Sequence, residues 1–158
     1  MKTVLTTILL FVTYFASPAG NGSPDFKKNF RLSQDGNDII GHWRSAHGSG
    51  KIEIYKKGEK FYGKLVWLKT PNDENGKPLR DIKNHDETLR NRPIMGLEIF
   101  KDLAYKGNNT WSGGTVYDPK SGKTYNCQMT LQSETELDIR AFFGIALIGK
   151  TETWTREN

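Results

Sequence analysis

The chain has 158 residues, 35% of them hydrophobic and 11% aromatic, with 16 Gly, 6 Pro and a single Cys. That length accommodates one compact domain, and its interspersed charges, summing to +5, exclude a disordered polyelectrolyte, a collagen-like repeat and a coiled coil. One Cys makes neither an internal disulfide nor a Cys-rich zinc site.

Residues 1–19 read as a signal peptide. Lys2 is a short positive start, residues 4–15 are an apolar run, and Ser17, Pro18 and Ala19 place small residues where a signal peptidase cuts. The run is too short to span a bilayer as a helix. The expectation is therefore an exported protein, periplasmic or secreted, with no transmembrane segment. Residues 20–38 (GNGSPDFKKNFRLSQDGND) are polar and rich in turn formers, and read as a flexible lead-in whose Lys27, Lys28 and Arg31 are read as solvated, with contact to an anionic surface as the lesser alternative. Residues 39–158 form the expected domain.

From residue 39 the apolar period becomes two, the mark of strands with one wet and one dry face. Ile52 and Ile54 alternate with Lys51 and Glu53; Tyr125, Cys127, Met129 and Leu131 alternate with Thr124, Asn126, Gln128 and Thr130; Leu137, Ile139 and Ala141 alternate with Glu136, Asp138 and Arg140. The stretches 61–68 (FYGKLVWL) and 144–149 (GIALIG) are apolar on both faces and read as strands covered on the outside. Short turns such as His47-Gly48-Ser49, Lys57-Gly58-Glu59 and Lys106-Gly107-Asn108-Asn109 separate the runs, which makes neighbouring strands antiparallel. Strands are predicted at 39–45, 50–57, 60–69, 94–102, 110–117, 122–132, 135–142 and 145–156. The fold class is all-β: an antiparallel up-and-down meander of about eight strands that closes into a barrel and so removes its edges, with a two-sheet sandwich as the competing arrangement.

One connection breaks the rhythm. Residues 70–93 (TPNDENGKPLRDIKNHDETLRNRP) are far longer than a hairpin needs, and loops of that length are functional or mobile. Asn84 and Glu87 have capping-box spacing and Pro93 ends the stretch, which predicts a short helix at about 85–91 lying over one mouth as a lid or a plug.

A Trp sits near each end of the expected domain. Gly41-His42-Trp43 opens the first strand and Thr153-Trp154-Thr155-Arg156 ends the last, so that closure brings Trp43 and the Arg156 cation together. This resembles the lipocalin-type (calycin) pattern of Gly-x-Trp on the first strand and Arg from the last. A longer set of segments, KIEIY at 51–55, YGKLVWL at 62–68, Asp81-x-x-Asn84, LRNRPIMGL at 89–97, WSGGTVYDPKSGKTY at 111–125 and GKTETWTR at 149–156, is similar to the bacterial domain-of-unknown-function family 2147. The resemblance spans residues 40–156 and implies a lipocalin-like barrel and a bacterial envelope location. It implies no activity. His85, where the family more often has Pro, and Lys150, where it more often has Arg, depart from its pattern.

The long loop gathers Asp81, Asn84, His85, Asp86, Arg90 and Arg92. An Asp beside a His can orient a general base, which leaves an enzyme using this loop as the third reading; the favoured one is that Asp81 and Asn84 bond loop backbone while Arg90 pins the helix to the barrel. No cofactor is expected. His42, His47 and His85 lack zinc spacing, the 72–76 stretch lacks the closing Glu of a calcium loop, and Cys127 shares a face with Met129 as a small hydrophobe. Basic residues alternate with acids along most strands, so nucleic acid is not an expected partner. The positive reading is a monomer that binds a small apolar or amphipathic ligand in or at the mouth of the barrel, since an eight-stranded barrel either holds one small molecule or is filled by side chains. Trp67, Trp111, Tyr117 and Tyr125 would supply aromatic wall, Arg90 and Arg92 would meet an anionic head group, and Asp81 and Asn84 would add polar contacts. Phe61, Leu65, Trp67, Tyr125, Met129, Leu131, Leu137 and Ile139 are the large inward candidates. Gly63, Gly113 and Gly114 mark either barrel corners or room for a ligand. The alternative is a filled barrel that docks on an envelope protein through 61–68 and 70–93.

Overall fold

The structure, a computed structural model, describes residues 34–145 and 148–157. The expected signal peptide and most of the expected lead-in lie outside the described residues. Eight strands follow in order: β1 (Gly41–Arg44), β2 (Gly50–Lys57), β3 (Lys60–Leu68), β4 (Glu98–Tyr105), β5 (Thr110–Asp118), β6 (Lys123–Leu131), β7 (Glu136–Phe142) and β8 (Gly149–Glu157). Each pairs antiparallel with its sequence neighbour, and β8 pairs with β1 to close the barrel. The closing register sets His42 opposite Glu157, Trp43 opposite Arg156 and Arg44 opposite Thr155. The sandwich is excluded.

Period-two patterning becomes inward and outward faces. Ile52 and Ile54 on β2, Phe61 and Leu65 on β3, Cys127, Met129 and Leu131 on β6, and Leu137 and Ile139 on β7 are all buried. Their polar neighbours pair on the outer wall, as in Lys64 with Glu53 at 2.9 Å across β2 and β3. Burial pushes the Cys127 thiol up to about 12, so the side chain behaves as a small hydrophobe.

An up-and-down barrel has two unlike ends. At the base lie the tight β2–β3, β4–β5 and β6–β7 turns together with the start of β1 and the end of β8. This end is packed solid. A 3-10 turn, Asn37–Ile39, crosses beneath it and buries Ile39 completely. Gly36 to Asp38, expected as the end of a flexible lead-in, are thus part of the base. Trp43 Nε1 donates to the Ile39 carbonyl at 2.8 Å and Trp111 Nε1 to the Gly36 carbonyl at 3.1 Å. The Arg156 guanidinium lies 4.2 Å from the Trp43 ring and donates to the carbonyls of Glu134 at 2.7 Å, of Ile40 at 2.9 Å and of Asp38. Phe61 and Tyr105 pack against Trp111 with ring centroids 6.2 and 5.1 Å away.

Four expectations need correction. The β4 strand begins at Glu98, not at 94, because Gly96 at φ 83° turns the chain and Leu97 N bonds back to the Ile94 carbonyl at 3.0 Å. The described residues of the 144–149 stretch do not form a covered strand: β8 begins only at Gly149, and Phe143, Ile145 and Ile148 stand exposed between β7 and β8. The 85–91 helix shrinks to a single 3-10 turn, Glu87–Leu89, capped by Asp86, whose carboxylate accepts from Thr88 N. Asn84, the expected cap, is used elsewhere. Trp67 is not inward. Ile52 pairs with Leu65 but Lys51 with Trp67, so a bulge adds one residue to β3 and reverses the faces beyond it.

Candidate functional site

The other end of the barrel is open. Here β2, β4, β6 and β8 begin and β3, β5 and β7 end, joined by the loops after β1, β3, β5 and β7. The inward side chains are too few to fill the space, and a cavity of about 1030 Å³ runs in from the mouth. Leu65, Ile99, Phe100, Ile139 and Trp154 are among the residues that form its apolar wall. Trp154 meets Phe100 edge-on with centroids 6.1 Å apart. The barrel is therefore filled in its base half and hollow in its mouth half.

The 70–93 loop supplies wall, not cover. Asn72 bridges to Pro78 and Arg80 to Pro93, so the segment folds back on itself as a flap against the barrel. Ile94 N donates to the Leu79 carbonyl at 2.9 Å, and both side chains line the cavity. What pins the flap is one polar cluster. Asp81, with no exposed surface, accepts at Oδ2 from Arg92 Nε at 2.9 Å, from Arg92 Nη2 at 2.8 Å and from Asn84 Nδ2 at 2.8 Å; Oδ1 accepts from the Tyr117 hydroxyl at 2.6 Å. Burial raises the Asp81 pKa, but the bonds from Tyr117, Asn84 and Arg92 outweigh it and hold the carboxyl below its usual range. Burial and the Asp81 bond push Tyr117 up. Arg90 Nε donates to the Asn84 carbonyl at 2.9 Å, and its Nη1 bonds to Glu87 at 2.9 Å.

The structure thus divides the residues that the sequence singled out. Tyr117 and Tyr125 line the cavity. Asp81, Asn84, Arg90 and Arg92 stand together in the flap, bonded to one another's side chains or backbone, and none is part of the cavity wall. Trp111 is inward but at the base, sealed beneath the core. Trp67 is on the outer wall, 36% exposed, with Arg44 at 5.7 Å and Lys51 at 5.3 Å from its ring. Gly63, Gly113 and Gly114 do not line the cavity. A Cβ on Gly63 would sit 2.9 Å from the Phe100 ring, and one on Gly114 only 2.2 Å from the Lys101 carbonyl oxygen, so these glycines let neighbouring strands approach.

Sequence reading missed the polar side of the cavity. On β8, Lys150 and Glu152 share the inward parity of Trp154 and line the wall opposite Ala141 and Ile139. Lys150 Nζ and Glu152 Oε1 pair at 2.7 Å, and Trp154 Nε1 donates to Glu152 Oε2 at 3.4 Å. The Lys150 bond holds the Glu152 carboxyl below its usual range. The signal was the parity itself, obscured because these two inward positions are charged. Around the rim lie His47, Lys69, Asp118 and Lys120. The wall as a whole suits an apolar body with a polar end near the opening. Among the described residues no group of three or more His, Cys, Asp and Glu is placed to hold a metal ion, and no helix is long and apolar enough to cross a membrane.

Comparison with known proteins agrees with this architecture. No curated protein matches the chain. A solved structure titled "Protein HP1028 from the human pathogen Helicobacter pylori belongs to the lipocalin family" is similar to it, with a TM-score of 0.66 and 25% identity, covering 76% of this chain and 83% of that one. The model of a family described as "Uncharacterized protein conserved in bacteria (DUF2147)" matches residues 41–156, which run from the first residue of β1 to the Arg that seals the base. The chain belongs to that bacterial family, DUF2147, and has a lipocalin-like barrel.

Proposed function

We propose that this protein is an exported envelope protein that binds one small apolar or amphipathic molecule, with the apolar body held between β4, β7 and β8 and the polar end at the Lys150–Glu152 pair. The observation that carries the reading is the hollow mouth half of the barrel, with its apolar wall and a charged pair near the opening. A cavity of this size matches a molecule of lipid or metabolite dimensions. The polar start and apolar run of residues 1–19 support export.

The test is native mass spectrometry of protein purified from the periplasm without detergent, paired with titration of N-phenyl-1-naphthylamine. A reproducible added mass, or saturable dye binding that is weakened in Val116→Trp while the melting temperature is kept, is the expected result. Dye binding whose affinity is unchanged in Val116→Trp counts against a site in the barrel. A bare mass together with no dye binding overturns the reading.

A further inference from the structure

The β7–β8 loop breaks the rule that large apolar side chains turn inward. Phe143, Ile145 and Ile148 are 59%, 61% and 71% exposed within a few residues of one another. Burial of such side chains is worth enough that a cluster left in water marks a surface made to be covered. Ile148 N donates to the Ile145 carbonyl at 3.2 Å, and the Phe143 ring sits 4.6 Å from that of Tyr125. Phe143 and Ile148 also line the cavity, so the apolar tip and the cavity opening form one continuous surface.

The charges beside the tip identify what covers it. Lys69, Lys120 and Lys150 stand exposed on the same rim, where the two acids are engaged locally: the Asp118 carboxylate accepts from Lys120 N and Ser121 Oγ, and Glu152 pairs with Lys150. Lys150 is paired with Glu152, whereas Lys69 and Lys120 have no acidic partner among the described residues. Long, free cations around an exposed apolar tip are the arrangement that suits a bilayer surface, with apolar side chains sunk below the head groups and lysines at the phosphates. We propose that this mouth docks on an anionic membrane surface, inserting Phe143, Ile145 and Ile148 and setting Lys69 and Lys120 against lipid phosphates. Docked this way, the cavity opens onto the acyl region, and an apolar molecule passes between bilayer and barrel without crossing water. Docking itself does not depend on the cavity being occupied.

Flotation of the protein with vesicles of phosphatidylcholine alone, and of phosphatidylcholine with phosphatidylglycerol, tests this. The expected result is retention on the anionic vesicles only, weakened by salt. The double variant Ile145→Asp with Ile148→Asp is expected to lose roughly tenfold or more of that binding at an unchanged melting temperature, since both positions are exposed. Lys69→Glu and Lys120→Glu should each cost roughly fivefold or more. Absence of binding to anionic vesicles overturns the proposal, as does binding that the double Asp variant leaves intact. A concentration-dependent dimer that the double Asp variant dissolves would overturn it too, by showing that a second copy covers the tip. Val116→Trp projects a bulky ring into the cavity and leaves the loop residues unchanged, so at a kept melting temperature it should keep vesicle binding while weakening dye binding; loss of vesicle binding in that folded variant overturns the docking proposal, and weakened dye binding alone leaves it standing apart from the ligand reading.

Discussion

Asp81 is a buried carboxylate whose two oxygens accept four hydrogen bonds, two from Arg92 and one each from Asn84 and Tyr117. Asp81→Asn removes the charge that Arg92 needs and is expected to cost about 1.5–3 kcal/mol, read as a lower denaturant midpoint at neutral pH. Because the folded-state pKa of Asp81 lies below that of the unfolded chain, its contribution is present above about pH 4 and is lost as the pH falls through the folded value. Wild type and Asp81→Asn should therefore converge in stability below about pH 4; a constant gap from neutral to acid pH would show that the carboxylate's charge is not what holds the flap. Arg156 makes the opposite kind of anchor, a cation bound to three backbone carbonyls and a ring face. Lys lacks the planar fork that reaches all three, so Arg156→Lys should lose about 1–3 kcal/mol although the charge is kept. An unchanged thermal midpoint would remove Arg156 from the seal.

At the scale of elements, the approach of β4 and β5 depends on Gly114. The Cβ of Gly114→Ala would meet Lys101 O at 2.2 Å and Leu103 N at 2.6 Å, both backbone atoms that cannot swing aside. About 1–3 kcal/mol of destabilisation is expected, measurable by chemical denaturation. The same elements show what the sequence made legible and why. Ile52, Ile54, Met129, Leu131, Leu137 and Ile139 alternate with polar residues because each strand has one wet face, and that alternation is enough for the strands and their antiparallel order. Trp67 escapes it because a single extra residue in β3 inverts the parity, and nothing in FYGKLVWL marks where that residue falls. Ile145 and Ile148 mislead for a different reason: exposure at a docking tip and burial between two layers select the same residue types. The flap cluster joins Asp81 to Arg92 across a folded loop and to Tyr117 on another strand, contacts that no period encodes.

Over the whole molecule, period two separates inside from outside but says nothing about base or mouth. Trp111 and Trp154 are both inward, yet one is sealed in the base and the other lines the cavity. The four tryptophans therefore report on different places: Trp43 and Trp111 on the base, Trp67 on the outer wall and Trp154 on the cavity. If a molecule occupies the cavity, the resulting change in intrinsic fluorescence should disappear in Trp154→Phe and survive in Trp67→Phe. Survival in Trp154→Phe would put the bound molecule elsewhere.

The base is sealed by side-chain donors that all end on main-chain oxygens: Trp43 on Ile39, Trp111 on Gly36, and Arg156 on Asp38, Ile40 and Glu134. Any amino acid carries that oxygen. The two sides of each bond are thus under unequal constraint as sequences diverge. The exposed side chain at Ile40 can change so long as the backbone keeps its path, whereas Trp43, Trp111 and Arg156 are held by the groups that do the donating. Distant relatives that have lost every other likeness at this end should still carry two indoles and one guanidinium.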